Sequence, residues 1–226
     1  MQSTVSSAEG SVAVLGNGVV GTALATGFAG IGYSVTFGTR DVDGAKTRAA
    51  LAAVPGSRAA TYAEAARGAG MAVTALPWYG LKAALLAAGA ENLAGKLVID
   101  PSNPLDFSGG APTLAVGFND SAGELVQRLL PQAHVVKAFN IITAGHMVRP
   151  HLPDGVPDMF IAGNDADAKQ RAGEIIRAFG WRTPIDMGPI TASRLLEPLA
   201  MLWISYGVRN NHWSHAFSLL GQKSSS

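Results

Sequence analysis

The sequence predicts an α/β fold. Its main body is a Rossmann-type, doubly wound, mostly parallel sheet, followed by a small C-terminal α/β extension ending in a long apolar helix. Three observations predict this. From Ser11 to Arg40 the chain runs apolar strand, glycine turn, helical pattern and second apolar strand. Short apolar runs then alternate with helical patterns as far as Pro104, at the spacing of βα units. Hydrophobic residues form 48% of the chain and charged residues only 15%, which suits a parallel sheet covered by helices on both faces.

The first unit carries a glycine fingerprint, Gly16-Asn17-Gly18-Val19-Val20-Gly21, directly after the strand Val12 to Leu15. Gly16 permits the tight turn, Gly18 lets the backbone approach a pyrophosphate, and Gly21 lets the helix lie close to the sheet. A pyrophosphate would sit at the helix N-terminus, where free N–H groups and the helix dipole favour an anion. The second strand ends at Gly38-Thr39-Arg40. A carboxylate there would bind a ribose 2′-OH. Thr39 and Arg40 instead suit a 2′-phosphate, with Arg40 also able to stack on adenine, so NADP(H) is expected over NAD(H). Asp41 follows a base and is read as a helix cap, shared with Asp43. Lys46 and Arg48 add positive charge nearby.

Along the chain, residues 1–10 read as a disordered leader, 11–140 as the nucleotide-binding domain, and 141–226 as an extension that completes the cleft. Asp41 to Ala53 reads as a helix, and Ser57 to Ala60 as an edge strand. Thr61 with Glu64 forms a capping box, and Ser121 with Glu124 a second cap pair. Met71 to Leu76, Leu97 to Asp100, His134 to Ala138, Met159 to Gly163 and Arg182 to Ile185 read as strands. Leu81 to Ala88, Ser121 to Leu130, Ala166 to Phe179 and Thr191 to about Val208 read as helices, and Leu105 to Asn119 as a glycine-rich irregular excursion.

Composition excludes several classes of function. A net charge of +1 gives no field for nucleic acid, and no apolar run reaches the roughly 18–20 residues of a membrane span. The absence of cysteine excludes disulfides, thiolate nucleophiles and cysteine metal sites. No signal peptide opens the chain, so a soluble cytoplasmic protein is expected. His212 and His215 lack a carboxylate partner, so no metal site is expected.

The second ligand belongs at the carboxyl ends of the strands. Pro77-Trp78-Tyr79, Pro101 to Pro104, Ala138-Phe139-Asn140 and the loop near His146 reach that edge, offering aromatic and amide groups but little charge. Trp78 packs there against a nicotinamide ribose or flat substrate, or else wedges into the core. Asn103 and Asn140 bond ring or ribose carbonyls, or else close turns. His134 is structural or surface, while His146 and His151 lie in loops within reach of a ligand. A cleft poor in acids and bases suits hydride transfer between two ring cofactors better than carbonyl reduction. For carbonyl reduction, Tyr79 or His146 would be the proton donor. A third possibility is an NADPH-binding regulator without turnover.

These residues resemble the coenzyme F420-dependent NADP oxidoreductases, whose Rossmann domain is related to the cytosolic part of the STEAP metalloreductases. The resemblance spans Ser11 to Tyr206. It rests on Gly16 to Gly21, Phe37 to Arg40, Ala75 to Trp78, Asp100 to Pro104, Val135 to Asn140, Ala162 to Lys169 and Gly188 to Leu199. It implies a homodimer that passes hydride between NADP(H) and F420, FMN or FAD, with no dedicated catalytic acid or base. It puts the 2′-phosphate on Thr39 and Arg40, the pyrophosphate on Asn17 to Val20, and the nicotinamide and deazaflavin near Leu76, Pro77, Ala138, Phe139 and Asn140. The helix from Thr191 to Val208 would pack in the dimer interface. The basic residue that the family carries soon after the Thr-Arg pair has no direct match. Gly44 stands near that place, and Lys46 substitutes for it only if the helix begins later than Asp41.

Overall fold

The computed structural model describes residues 10–221, so the expected leader lies outside the described residues except for Gly10. Strand β1 (Ser11–Leu15) leads into α1 (Val19–Gly30), β2 (Ser34–Gly38), α2 (Ala45–Ala53) and β3 (Arg58–Ala60). Then come α3 (Tyr62–Gly68), β4 (Met71–Thr74), α4 (Trp78–Ala88), the short α5 (Ala90–Leu93) and β5 (Leu97–Asp100). A small antiparallel hairpin, β6 (Leu105–Asp106) and β7 (Thr113–Leu114), occupies part of the stretch expected to be irregular. The chain continues through α6 (Ala122–Leu129), β8 (His134–Lys137), β9 (Phe160–Gly163), α7 (Ala166–Ala178), β10 (Ile185–Asp186) and α8 (Ser193–Asn210).

Eight strands form one sheet in the order β10-β9-β8-β5-β4-β1-β2-β3. The six from β3 to β8 run parallel, whereas β9 returns antiparallel to β8. The connection from β8 to β9 contains no crossover helix of the kind that usually joins parallel neighbours. Strand β1 pairs with both β2 and β4, so the winding reverses between β1 and β4. That reversal opens a crevice at the carboxyl ends of these two strands.

Strand alternation divides the core. Val12, Val14, Val35, Phe37, Val73 and Ile99 face one apolar cluster, which also holds Leu24 and Phe28 of α1 and Ile175 and Ile176 of α7. Ala13, Leu15, Ala72, Val98 and Val135 face the other, with Leu81 and Leu85 of α4 and Val126 of α6. Burying each such Val, Leu or Phe contributes roughly 1.5–3 kcal/mol, and both faces of the sheet are thereby committed.

Local chemistry corrects several expected boundaries. Thr61 and Glu64 do form the reciprocal capping box on α3. Asp41 and Asp43 do not cap α2, which starts at Ala45 after Gly44 with no side-chain cap. Asp41 contributes its backbone instead, its carbonyl accepting from the Thr47 hydroxyl at 2.6 Å. Strand β4 stops at Thr74, not Leu76, because the Leu76 N–H turns back to the Thr74 carbonyl. The C-terminal helix is less apolar than expected. It carries Arg194, Glu197 and Arg209, and Glu197 is buried.

Candidate functional site

The glycine turn behaves as its sequence demands. Gly16 has φ +112°, and a Cβ there would lie 2.2 Å from the Ala75 carbonyl oxygen. A Cβ on Gly21 would lie 2.1 Å from the Gly16 oxygen, so α1 rests directly on the turn. Gly18 is different: the only atom near an added Cβ is the Lys46 ammonium nitrogen at 3.9 Å. Backbone is therefore bare at the N-terminus of α1, under one lysine. This fits a pyrophosphate, since the first N–H groups of the helix have no partner within it.

A cleft of about 490 Å³ opens here, lined by Gly16, Asn17, Gly18, Thr39, Arg40, Lys46, Leu76 and Pro77 together with residues of α3 and α4. Asn17 is held by a bond from its Nδ2 to Thr47 Oγ1 at 2.8 Å. Thr39 is nearly buried, and its oxygen accepts from Asn17 and from the Asp41 N–H, both at 3.4 Å. Its own hydroxyl proton is bonded to no described residue, so it remains a donor. Arg40 and Lys46 are exposed and form no ion pair among the described residues. Because α2 begins at Ala45, Lys46 falls in its first turn and overhangs Gly18. Sequence reasoning missed Tyr62, Ala83 and Ala87, which wall the far end of this cleft. Burial pushes the Tyr62 hydroxyl above its ordinary pKa, against the lowering influence of nearby Arg40.

A second cavity, of about 340 Å³, continues from the first and shares Gly18, Ala75, Leu76, Pro77 and Tyr79 with it. Val19, Val20, Trp78, Asn103, Leu105 and Phe107 complete its walls. Trp78 is wedged as one of its two expected descriptions has it, and it lines the cavity as well. It is the first residue of α4, half-buried against the apolar cluster, and it also faces the cavity.

Three expected residues are not brought to either wall. Ala138 and Phe139 are fully buried, and Phe139 packs against Phe179 and Trp181 from a backbone with φ +62°. That left-handed turn sends the ring into the core and leaves the Phe139 N–H donating to Met159 Sδ at 3.2 Å. Asn140 spends both amide protons internally, on Asn103 Oδ1 at 3.0 Å and the Leu196 carbonyl at 3.1 Å. Asn103 in turn donates to the Asn140 carbonyl at 2.8 Å, so this pair ties β5 to the segment after β8. No lining residue of either cavity lies beyond Phe107.

The histidines also stand outside both cavities. His134 pairs with Asp165, and His146 shares a 2.8 Å bond with Ser214. His215 stacks on Trp203 at 4.8 Å and on His212 at 5.8 Å. Among the described residues, no group of three His, Asp or Glu side chains is placed to hold a metal.

Beneath the second cavity lies a cluster that sequence reasoning did not assign. Lys137 is wholly buried between Asp100 at 2.6 Å and Glu197 at 2.9 Å, and it donates to the Ser102 carbonyl at 2.7 Å. Asp100 also receives the Thr74 hydroxyl at 2.6 Å and the Ser102 N–H at 3.1 Å. Glu197 accepts the first two N–H groups of α6, from Ala122 and Gly123. Burial alone would push the Lys137 ammonium down, but the Asp100 and Glu197 carboxylates outweigh it and hold its pKa above the ordinary lysine value. Thr74 and Ser102 line the cavity, so its floor is pinned by this cluster. The available signal was an Asp and a Lys closing two buried parallel strands, which the register sets opposite each other.

A doubly wound sheet with a bare glycine turn and unpaired cations at its switch point defines a dinucleotide-binding protein. Comparison with known proteins sharpens this. Residues 11–104 match the family described as NADP oxidoreductase, coenzyme F420-dependent. The F420-dependent NADP reductase of Methanothermobacter marburgensis is 31% identical over 212 residues, covering 88% of this chain and 93% of that one. Metalloreductase STEAP3 of Rattus norvegicus is 32% identical over 193 residues, or 84% of this chain, which spans only 37% of that protein's length. The crystal structure of a candidate F420-dependent NADP reductase from Arthrobacter sp. fb24 superposes with a TM-score of 0.88 at 40% identity, covering 92% of this chain and 98% of the other. The chain belongs to the coenzyme F420-dependent NADP oxidoreductase family and is an NADP-dependent oxidoreductase. No helix among the described residues is long and apolar enough to cross a membrane.

Proposed function

We propose that the protein transfers hydride between NADP(H) and coenzyme F420 or a related flavin, with no dedicated acid or base. The observation that carries this reading is the continuity of a cation-bearing cavity with an uncharged one across Gly18, Leu76 and Pro77. NADPH supplies the hydride, and the proton that balances reduction of the acceptor ring comes from water. Arg40, Lys46 and the Thr39 hydroxyl take the 2′-phosphate and pyrophosphate charge, and the turn from Asn17 to Val20 offers its N–H groups. Leu76, Pro77, Trp78 and Asn103 flank the reacting rings and keep water from them. In this reading residues 11–140 form the nucleotide-binding domain.

The outer face of α8 belongs to the C-terminal extension, and we assign that face to a second copy of the chain. Leu195, Leu202 and Tyr206 are more than half exposed on it. Beside it lies an apolar groove lined by Leu114, Met187, Pro198 and Met201. A contiguous apolar surface of this kind is characteristic of an interface.

The test is anaerobic stopped-flow absorbance with NADPH mixed in turn with F420, FMN and FAD. Bleaching of any of them in step with NADPH oxidation supports the reading, and oxidation by none sinks it. A second reading, reduction of a small carbonyl or imine, is favoured by one observation: Tyr79 is 88% exposed and lines both cavities. Ring-to-ring transfer leaves turnover within about twofold in Tyr79→Phe, whereas loss of a general acid lowers it by about 10²-fold or more.

A further inference from the structure

Asp41 is the one acid in the lining of the cation-bearing cavity, whose bases are Arg40 and Lys46. It caps no helix, and neither of its carboxylate oxygens has a hydrogen bond or ion pair among the described residues. Only its backbone is engaged. The Asp41 N–H donates to Thr39 Oγ1 at 3.4 Å, and its carbonyl accepts from Thr47 Oγ1 at 2.6 Å. These bonds hold the residue beside Thr39, at the end of β2, with its side chain exposed. Gly44 makes the seat for the carboxylate. A Cβ on Gly44 would lie 2.2 Å from Asp41 Oδ2 and 2.6 Å from its Cγ, so any side chain there displaces the acid. Gly44 has φ −66°, which every L-residue can adopt, so backbone strain does not call for a glycine at this position. The room it leaves is taken by the acid.

A carboxylate at the ribose end of a dinucleotide cleft acts on the two nicotinamide cofactors with opposite signs. It accepts a hydrogen bond from a ribose hydroxyl, which favours NADH, and it repels a 2′-phosphate, which opposes NADPH. Arg40, its neighbour in the chain, favours the phosphate. Resting on the proposed placement of the 2′-phosphate at Thr39 and Arg40, we infer that Asp41 is a specificity-determining residue that keeps NADH as a second usable cofactor. The preference for NADPH is then the difference between two adjacent side chains of opposite charge. It is a moderate preference.

Isothermal titration of the whole chain with NADPH and with NADH tests this without reference to any hydride acceptor. The parent is expected to bind NADH within about 100-fold of NADPH, the span of one charge-assisted contact. Asp41→Asn should tighten NADPH and loosen NADH, each by about two- to fivefold, the size of an exposed charge interaction. The urea midpoint without nucleotide should not move, because the carboxylate holds nothing in the fold. Gly44→Ala keeps the charge but displaces it, and should loosen NADH to a similar degree. Unchanged affinities in Asp41→Asn, shifts of both cofactors in the same direction, or a Gly44→Ala protein that binds NADH as the parent does would each overturn the inference. The phosphate site itself still stands in those cases if Arg40→Ala weakens NADPH alone. If Arg40→Ala weakens neither cofactor, or both alike, the placement of the phosphate is wrong and the inference falls with it.

Discussion

Lys46 and Lys137 sit in opposite settings, though each follows a short apolar stretch or helix start that gives little sign of its fate. Lys46 is exposed at the rim of the cleft, above the bare backbone of Gly18, with no ion pair among the described residues. Lys137 is fully buried, with two carboxylates and a carbonyl around one ammonium group. The first charge stays hydrated until an anion arrives, so holding it ready costs the fold little. The second lost its water when the chain folded, and only its partners offset that loss. A cation left free over a glycine turn is a binding charge. A cation enclosed by carboxylates at the join of β5, β8, α6 and α8 is a structural one that fixes the cavity floor through Thr74 and Ser102.

The largest effect should come from breaking the enclosed cluster. Lys137→Met leaves Asp100 and Glu197 buried without their counter-charge, and stability should fall by roughly 3–5 kcal/mol. Urea unfolding would show this as a lower midpoint at unchanged slope. Replacing the whole set, Asp100→Asn with Lys137→Met and Glu197→Gln, should recover a large part of the loss. If the single variant unfolds like the parent, the contrast between the two lysines is broken. The pH dependence has a definite sign. The folded pKa of Lys137 lies above its unfolded value, so its stabilising contribution is complete below the ordinary lysine pKa. It is lost as pH rises through the elevated folded value, giving alkaline rather than acid sensitivity.

The free cations come next. Arg40→Ala should weaken NADPH binding by about 10- to 100-fold, as expected for loss of a charge-assisted contact of roughly 1.5–3 kcal/mol. NADH binding and the urea midpoint of the unliganded protein should stay where they are. Lys46→Met should weaken NADPH binding less, by about three- to tenfold, and flatten its salt dependence. Isothermal titration at two salt concentrations separates the two variants. A fall in stability with either would mean that these side chains are not the unpaired groups described here.

Much of this contrast was open to reading from the chain. The glycine spacing, the strand-turn-helix context and the Thr39-Arg40 ending locate the cation-bearing cavity, because they are local features that act over a few residues. Lys46 was also found, although its reach depended on where α2 begins, and Gly44 rather than Asp41 settles that. What could not be read lies at long sequence separation. Glu197 reaches Lys137 and the N-terminus of α6 from about 60 and 75 positions away, and no local pattern foretells such a meeting. Phe139 and Asn140 illustrate the same limit. Both stand at the carboxyl end of a strand, where ligands gather, yet a left-handed backbone turns Phe139 into the core and Asn103 takes up Asn140. Phe107 was hidden for the opposite reason, since the stretch that carries it has too little periodicity to place a hairpin.

The smallest effect concerns a pair intermediate between the two lysines. Arg194 donates from Nε to Glu124 at 2.8 Å on the partly exposed ground between α6 and α8, and Ser121 donates to the same carboxylate at 2.8 Å. The Arg194 bond is the chief reason that the Glu124 carboxyl is held below its ordinary pKa of 4.5, working against burial. A carboxyl with a depressed folded pKa stabilises fully above its unfolded pKa and loses that contribution as pH falls through the folded value. Arg194→Met should therefore lower the urea midpoint at pH 7 by roughly a fifth of the change seen for Lys137→Met, because exposed pairs contribute little. The difference from the parent should close as the pH is taken below 4. Equal effects of the two substitutions at pH 7 would show that enclosure, which separates Lys137 from every other cation here, is not what gives its cluster its strength.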